Sequence, residues 1–246
     1  MDRPEHRTAI VTGASAGIGA ATAERLAAAG FDVVLGARRK ERIQEIAARS
    51  GGRALALDVT DADSVTAFVD QLDRADILVN NAGMALGLDA VADLSDEDVE
   101  RMFATNVFGL LRVTRSLMPL LDKSDNAHIV NVGSIAGFET YVGGAAYTAS
   151  KHAVRAITQT LRKELLGRPI RVTEVNPGLV ETEFSVVRFR GDKERAKQPY
   201  EGITPLSGDD VAECIVWAVT RPPHVNIDEI VVRPTAQATA QMIARS

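Results

Sequence analysis

Cysteine occurs once, at Cys214, so the chain can form neither an internal disulfide nor a thiolate-rich metal site; a lone thiol fits a reducing compartment. Positive charge is not in excess: 28 Lys and Arg against 33 Asp and Glu leave a net charge of −5, which argues against general affinity for nucleic acid or an anionic membrane. No uninterrupted apolar run is long enough to span a bilayer, and the charged start, Met1 to Arg7, lacks the apolar stretch of a signal peptide. The expectation is a cytoplasmic protein without a membrane or nucleic-acid partner. No His, Asp or Glu cluster has metal-ligand spacing, so no metal is expected. Linkers, low-complexity tracts and internal repeats are missing too, and residues 1–246 read as one domain.

What is present has the balance of a globular chain, 46% hydrophobic and 25% charged, with enough length to bury a substantial core. Short β-branched runs alternate with amphipathic segments rich in Ala and Leu, the pattern of repeated βαβ units and of an α/β fold whose parallel sheet is covered on both faces. Strands are expected near Thr8–Thr12, Asp32–Gly36, Ala54–Leu57, Ile77–Asn80, His128–Val132, Arg171–Val175 and Glu229–Val232. A helix from Gly17 to Ala29 stops at Gly30, and Ser95-Asp96-Glu97-Asp98 reads as a capping box opening a helix that runs past Asn106. Gly178 to Ser207 breaks the regularity; charged and without a clear period, it reads as a functional lid or a disordered excursion.

The first strand runs into Thr12-Gly13-Ala14-Ser15-Ala16-Gly17-Ile18-Gly19 and then a helix. Glycine allows the tight turn and lets backbone approach a pyrophosphate, whose charge is favoured at a helix N-terminus. After the second strand comes Ala37-Arg38-Arg39-Lys40, where an acidic residue would hold a ribose 2′-hydroxyl and repel a 2′-phosphate. Guanidinium groups grip phosphate through forked hydrogen bonds, so Arg38 and Arg39 favour NADP(H) over NAD(H).

Tyr147 and Lys151 are four positions apart in Ala146-Tyr147-Thr148-Ala149-Ser150-Lys151, one face of a helix. A cation about 4 Å from a phenol is worth roughly 4 kcal/mol at an effective dielectric near 20, about three pKa units toward phenolate. Tyr141 is the nearby rival acid, but no Lys follows it at helical spacing, and His152 points away round the helix.

Thr12 to Gly19, Asn80-Asn81-Ala82-Gly83, Asn106, Ser134, Tyr147 to Lys151 and Pro177-Gly178 fall in the order and at the spacings of short-chain dehydrogenases/reductases, and the chain resembles that family over almost its whole length. The resemblance implies a single Rossmann-fold domain, a doubly wound parallel sheet of seven strands, and hydride transfer between nicotinamide and a carbonyl or alcohol carbon. It makes Tyr147 the acid or base, with Lys151 lowering its pKa and holding the nicotinamide ribose. Ser134 donates to the substrate oxygen, and Asn106 anchors a water that links Lys151 to solvent. Gly13, Ser15, Gly17, Ile18 and Gly19 would take the pyrophosphate, Asp58 and Val59 the adenine, and Asn80, Ala82 and Gly83 the adenosine ribose. Pro177, Gly178, Val180 and Thr182 would close on the nicotinamide. The family is commonly tetrameric, so a homotetramer is implied; Val154, Ile157, Leu161 and Leu165 suit either such a face or an internal core.

Thr182 to Asp192, Asn81 to Gly87 and Arg233-Pro234-Thr235 are similar to a narrower group, the NADP-dependent 3-hydroxy acid dehydrogenases. That similarity implies small hydroxy acids such as serine, L-allo-threonine and 3-hydroxyisobutyrate, or malonic semialdehyde in the reducing direction. Arg188 or Arg190 would then clamp a substrate carboxylate. Two other readings stay open: a broad carbonyl reductase for aldehydes and ketones, and a sensor or scaffold that holds NADP without turnover.

Overall fold

A computed structural model describes residues 7–246. The charged start from Met1 to His6, read above as lacking a signal peptide, lies outside the described residues. Apolar, β-branched runs become the strands of one parallel sheet, buried along its inner strands and partly exposed at its two edges. They are β1 (Thr8–Thr12), β2 (Asp32–Ala37), β3 (Arg53–Ala56), β4 (Ile77–Asn80), β5 (Ala127–Val132), β6 (Ile170–Pro177) and β7 (Glu229–Val232). The seven lie in the order β3-β2-β1-β4-β5-β6-β7, every pair parallel. This is the doubly wound, single-sheet Rossmann architecture expected from the sequence. The order reverses between β1 and β4, and the loops leaving those strands part there into a crevice.

Side chains alternate across the sheet with period two. Ala9 and Val11 of β1 join a core with α1 (Gly17–Ala28), α2 (Lys40–Ser50) and α9 (Gly208–Val219), through residues such as Leu26, Ile43 and Ile215. Ile10, Leu78, Ile129 and Val172 face the other way, onto α3 (Ala62–Val69) and α5 (Leu110–Leu121), where Phe68, Val113, Leu117 and Leu121 are buried. Val154 and Leu165 are buried within the subunit and Leu161 packs against its core, so of the two readings left open for those positions the internal one applies to these three.

The long helix past Asn106 forms, but as three joined pieces: α4 (Asp96–Phe103), a π-helical turn (Ala104–Gly109) and α5. Its start differs from expectation. Ser95 is the N-cap residue yet makes no side-chain cap bond, and Asp98 instead pairs with Arg190. The reciprocal capping box belongs to Ser207 and Asp210 at the start of α9. Gly178 to Ser207 is not a disordered excursion: it holds α7 (Glu183–Arg188) and α8 (Lys193–Lys197), its two ends joined by Val180–Leu206 pairing and packed through those side chains against the core. Thr182 caps α7 through a bond from Phe184 N at 3.3 Å, and Asp192 caps α8. α6 (Ala145–Glu164) lies between β5 and β6 in the chain and carries the Tyr147 and Lys151 side chains.

Leu117 is fully buried between sheet and helix. Leu117→Ala is expected to cost about 2–5 kcal/mol in urea unfolding, through lost transfer energy and a residual cavity; a loss below about 1 kcal/mol would contradict this packing.

Candidate active site

The crevice opens into a cavity of about 620 Å³. Its floor begins at Gly13, whose φ of +64° places it in the left-handed region; a Cβ there would sit 2.8 Å from Ala82 Cα. Thr12 ties the two crevice loops together: its hydroxyl donates to Val79 O at 3.3 Å and accepts from Asn81 N and Ala82 N at 3.0 Å each. Gly17, at φ +54°, would place a Cβ 3.1 Å from Thr182 Cβ, so the glycine loop runs directly under the lid. Ala16 precedes α1 without a side-chain cap bond, so no side chain at that position claims the helix's first N–H groups.

Ser15, Arg38, Arg39, Asp58 and Val59 line the cavity on the β2–β3 side of the crevice. Arg39 donates to Ser15 Oγ at 3.0 and 2.9 Å and to Glu183 at 2.7 Å. The Asp58 carboxyl accepts from Thr60 N and Oγ1, and these bonds, with Arg38 and Arg112 nearby, hold its pKa below the usual value despite the opposing effect of burial. On the other side, Ser134, Tyr147, Lys151, Pro177, Gly178, Val180 and Thr182 line the same cavity.

Ser134 is fixed through its backbone, whose N–H donates to Asn176 Oδ1 at 2.8 Å, while its hydroxyl accepts from Ala136 N. Tyr147, partly exposed to the cavity, packs edge-on against Phe184 of α7 at 5.6 Å between ring centroids. Lys151 is buried and donates to Val132 O at 2.8 Å; its ammonium lies 6.0 Å from the Tyr147 ring centre. The Arg188 guanidinium is closer to that ring, at 4.9 Å, and it also stacks near Phe184 and Tyr141. Arg188 donates to Tyr141 Oη at 2.8 Å, and its Nε is buried without a partner.

This geometry alters the electrostatics expected from spacing. Burial pushes the Tyr147 phenol up to about 12, with Tyr141 adding to the rise and Arg188 and the Ser134 hydroxyl opposing it. Lys151 does not bring the phenol toward neutrality; burial pulls its own pKa down to about 8, with Glu174 resisting. The cause is burial: both groups sit out of water, which disfavours the charged form of each, the phenolate of Tyr147 and the ammonium of Lys151.

Four expected residues do not reach the cavity wall. Asn80 turns inward, donating to Thr114 Oγ1 and Asn131 Oδ1 at 2.9 Å each. Gly19 serves close packing, since a Cβ would meet Asn81 Nδ2 at 2.3 Å. Asn106, on the π turn, accepts from Met84 N at 2.8 Å and donates to Met84 O and Ser150 Oγ, bracing α6 behind Tyr147. Arg190, at φ +53°, pairs with Asp98 and lines a small neighbouring cavity that it shares with Arg188, but of the two only Arg188 also lines the main cavity. His152 is bonded to its own helix at Thr148 O.

The sequence pattern of the short chain dehydrogenase family matches residues 7–192. The chain belongs to this family. It is 57% identical to an uncharacterised oxidoreductase of Mycobacterium tuberculosis, over 95% of this chain and 93% of that protein. An NADP-dependent 3-hydroxy acid dehydrogenase of Schizosaccharomyces pombe is 43% identical over 100% and 99% of the two chains. Among solved structures, the closed form of a serine dehydrogenase complexed with NADP+ superposes with a TM-score of 0.92 at 39% identity, covering 97% of this chain and 99% of that one.

Several residues of this short-chain dehydrogenase line or brace the cavity with no motif or spacing that marks their role. Thr12 and Asn176 act through hydrogen bonds that no spacing reveals. Gln237 comes from the C-terminal segment, lines the cavity and accepts from Leu179 N at 2.8 Å. Glu174, only 2% exposed on β6, has its pKa raised by burial, with Glu229 adding to the rise and Arg155 and Lys151 opposing it.

Lys151 also makes stability depend on pH. Its folded pKa of about 8 lies below the unfolded 10.5, so between those values the unfolded chain holds more protons and the Lys151 contribution rises with pH. Urea unfolding is expected to show wild type gaining stability relative to Lys151→Met between pH 8 and 10. A flat or falling difference would contradict the buried amine.

Proposed function

We propose that the protein is an NADP(H)-dependent dehydrogenase of small 3-hydroxy acids, or equivalently a reductase of their semialdehydes. The observation that carries the reading is Arg188: a guanidinium with an unpartnered Nε, 4.9 Å from the centre of the Tyr147 ring, in the same cavity as Ser134 and Lys151. A cation held this close to an acid–base phenol suits a substrate whose anionic group lies a few atoms from its reacting carbon. The similarity to 3-hydroxy acid and serine dehydrogenases supports the same class.

The coenzyme cradle fits this reading. Gly13 and Gly17 leave backbone open where a Cβ would collide, and the first turn of α1 offers its N–H groups to a pyrophosphate. Arg38 and Arg39 stand where a 2′-phosphate would be held, with no acidic residue at the end of β2. When bound, NADP(H) supplies or accepts the hydride at the substrate carbon.

The chain's own groups handle the oxygen. Ser134 donates a hydrogen bond to it, stabilising charge as the carbonyl or alcohol reacts. Tyr147 delivers its proton to that oxygen during reduction and recovers one during oxidation. Its raised pKa keeps the phenol protonated near neutral pH, a state ready to donate. The Arg188 cation favours the phenolate when the proton leaves. Asn106 holds the Met84 loop and Ser150 at fixed distances, which keeps α6 and Tyr147 in place.

The proposal includes a homotetramer acting in the cytoplasm. Among the described residues no helix is long and apolar enough to cross a membrane. Phe108, 55% exposed on the π turn, offers an apolar ring to a second subunit.

NADPH absorbance with malonic semialdehyde, and NADP+ reduction with L-serine or L-allo-threonine, test the reading against uncharged aldehydes. Arg188→Ala is expected to raise KM for the acids by about tenfold to a hundredfold, as loss of a charge-assisted bond implies, while a neutral aldehyde changes little. Equal losses for both substrates would remove the clamp. Turnover of neutral carbonyls alone would make the protein a broad carbonyl reductase, and no turnover would favour a sensor.

A further inference from the structure

The basic end of the cavity is joined to the lid by an ion pair. Arg39 Nη1 donates to Glu183 Oε2 at 2.7 Å, while its Nε and Nη2 donate to Ser15 Oγ. Arg42 Nη1 pairs with the other carboxylate oxygen, Oε1. All three ionic side chains are close to half exposed, and Ser15, Arg38, Arg39 and Glu183 line one cavity. Glu183 is the first residue of α7, next to Thr182, whose side chain meets the Gly17 position. The lid therefore reaches the basic pair with a carboxylate, the same forked-acceptor chemistry a phosphate presents.

We propose that Glu183 is a coenzyme-specificity residue that competes with the 2′-phosphate for Arg39, so that phosphate binding exchanges one anion for another on that guanidinium. The inference rests on the NADP(H) reading above. Two anions on one half-exposed guanidinium repel each other, and the one tethered by the chain must yield or weaken its rival. Arg39 and Arg42 hold the Glu183 carboxyl below its ordinary pKa, so the carboxylate is charged throughout the neutral range. NAD(H), which has no 2′-phosphate, leaves the Arg39–Glu183 bond intact. The carboxylate thus selects against the phosphorylated coenzyme while the arginines select for it, and the net preference is the difference.

Calorimetric titration of wild type and Glu183→Gln with NADPH, NADH and 2′,5′-ADP tests this. The amide keeps the shape but loses the charge, at a half-exposed helix start where folding is not at risk. Wild type is expected to bind NADPH more tightly than NADH. Glu183→Gln should tighten NADPH and 2′,5′-ADP by about threefold to fivefold, the upper scale of an exposed ion pair, and shift NADH by less than about 1.5-fold. If wild type keeps its NADPH preference but the variant binds NADPH no better, or gains equally for NADH, Glu183 does not compete and the inference fails. A wild type that binds NADH as tightly as NADPH would instead overturn the coenzyme reading, and the inference with it.

Discussion

The site depends on keeping the Tyr147 phenol poorly solvated while giving it charged neighbours. Desolvation disfavours a phenolate and lifts the pKa to about 12. Any proton transfer at neutral pH then needs a cation or a hydrogen-bond donor close by. The structure provides these from two directions. Arg188 comes from the lid and lies over the ring, and Ser134 comes from the end of β5. Lys151, the residue that spacing nominates, is buried and donates to the Val132 carbonyl.

Those two directions require the sheet and the lid to be held in one geometry. Thr12 locks the β1 and β4 loops together, and Asn106 locks the Met84 loop to α6. Asn176 pins the Ser134 backbone. Each is a short polar bond spanning a long stretch of chain, which rigid packing on both faces of the sheet makes affordable in entropy. The lid is held more lightly, by half-exposed ion pairs such as Arg39–Glu183 and by Phe184 on Tyr147. Such contacts are individually weak, which suits a segment that must admit and release ligands.

The sheet was legible because its inner strands, buried on both faces, read as continuous apolar runs, and β1 and β4 lie where those runs predict; β7, partly exposed at the sheet edge, keeps the same β-branched signature. The glycine loop, Ser134, Tyr147 and Arg188 were legible for a different reason: each reaches the cavity from the end of an element, where spacing along the chain fixes its place. Asn80 was not, because its side chain pairs across the sheet with Asn131, its register partner, and only the pairing reveals which way it turns. The lid lacked a period because α7 and α8 are each too short for two full turns to show one. Ser95 carried the capping signature, yet Asp98 was claimed by Arg190 from far along the chain. Lys151 shared a helix face with Tyr147, as spacing required, but its bond to the Val132 carbonyl comes from a strand that the helix spacing does not show.

The central claim is that Tyr147 moves the proton. Single-turnover oxidation of NADPH by the carbonyl substrate, compared between wild type and Tyr147→Phe with NADPH binding verified by titration, tests it directly. The account predicts that coenzyme affinity survives while the chemical step slows by about a hundredfold or more, the usual worth of a positioned acid. A variant that binds NADPH and reacts at the wild-type rate would contradict it.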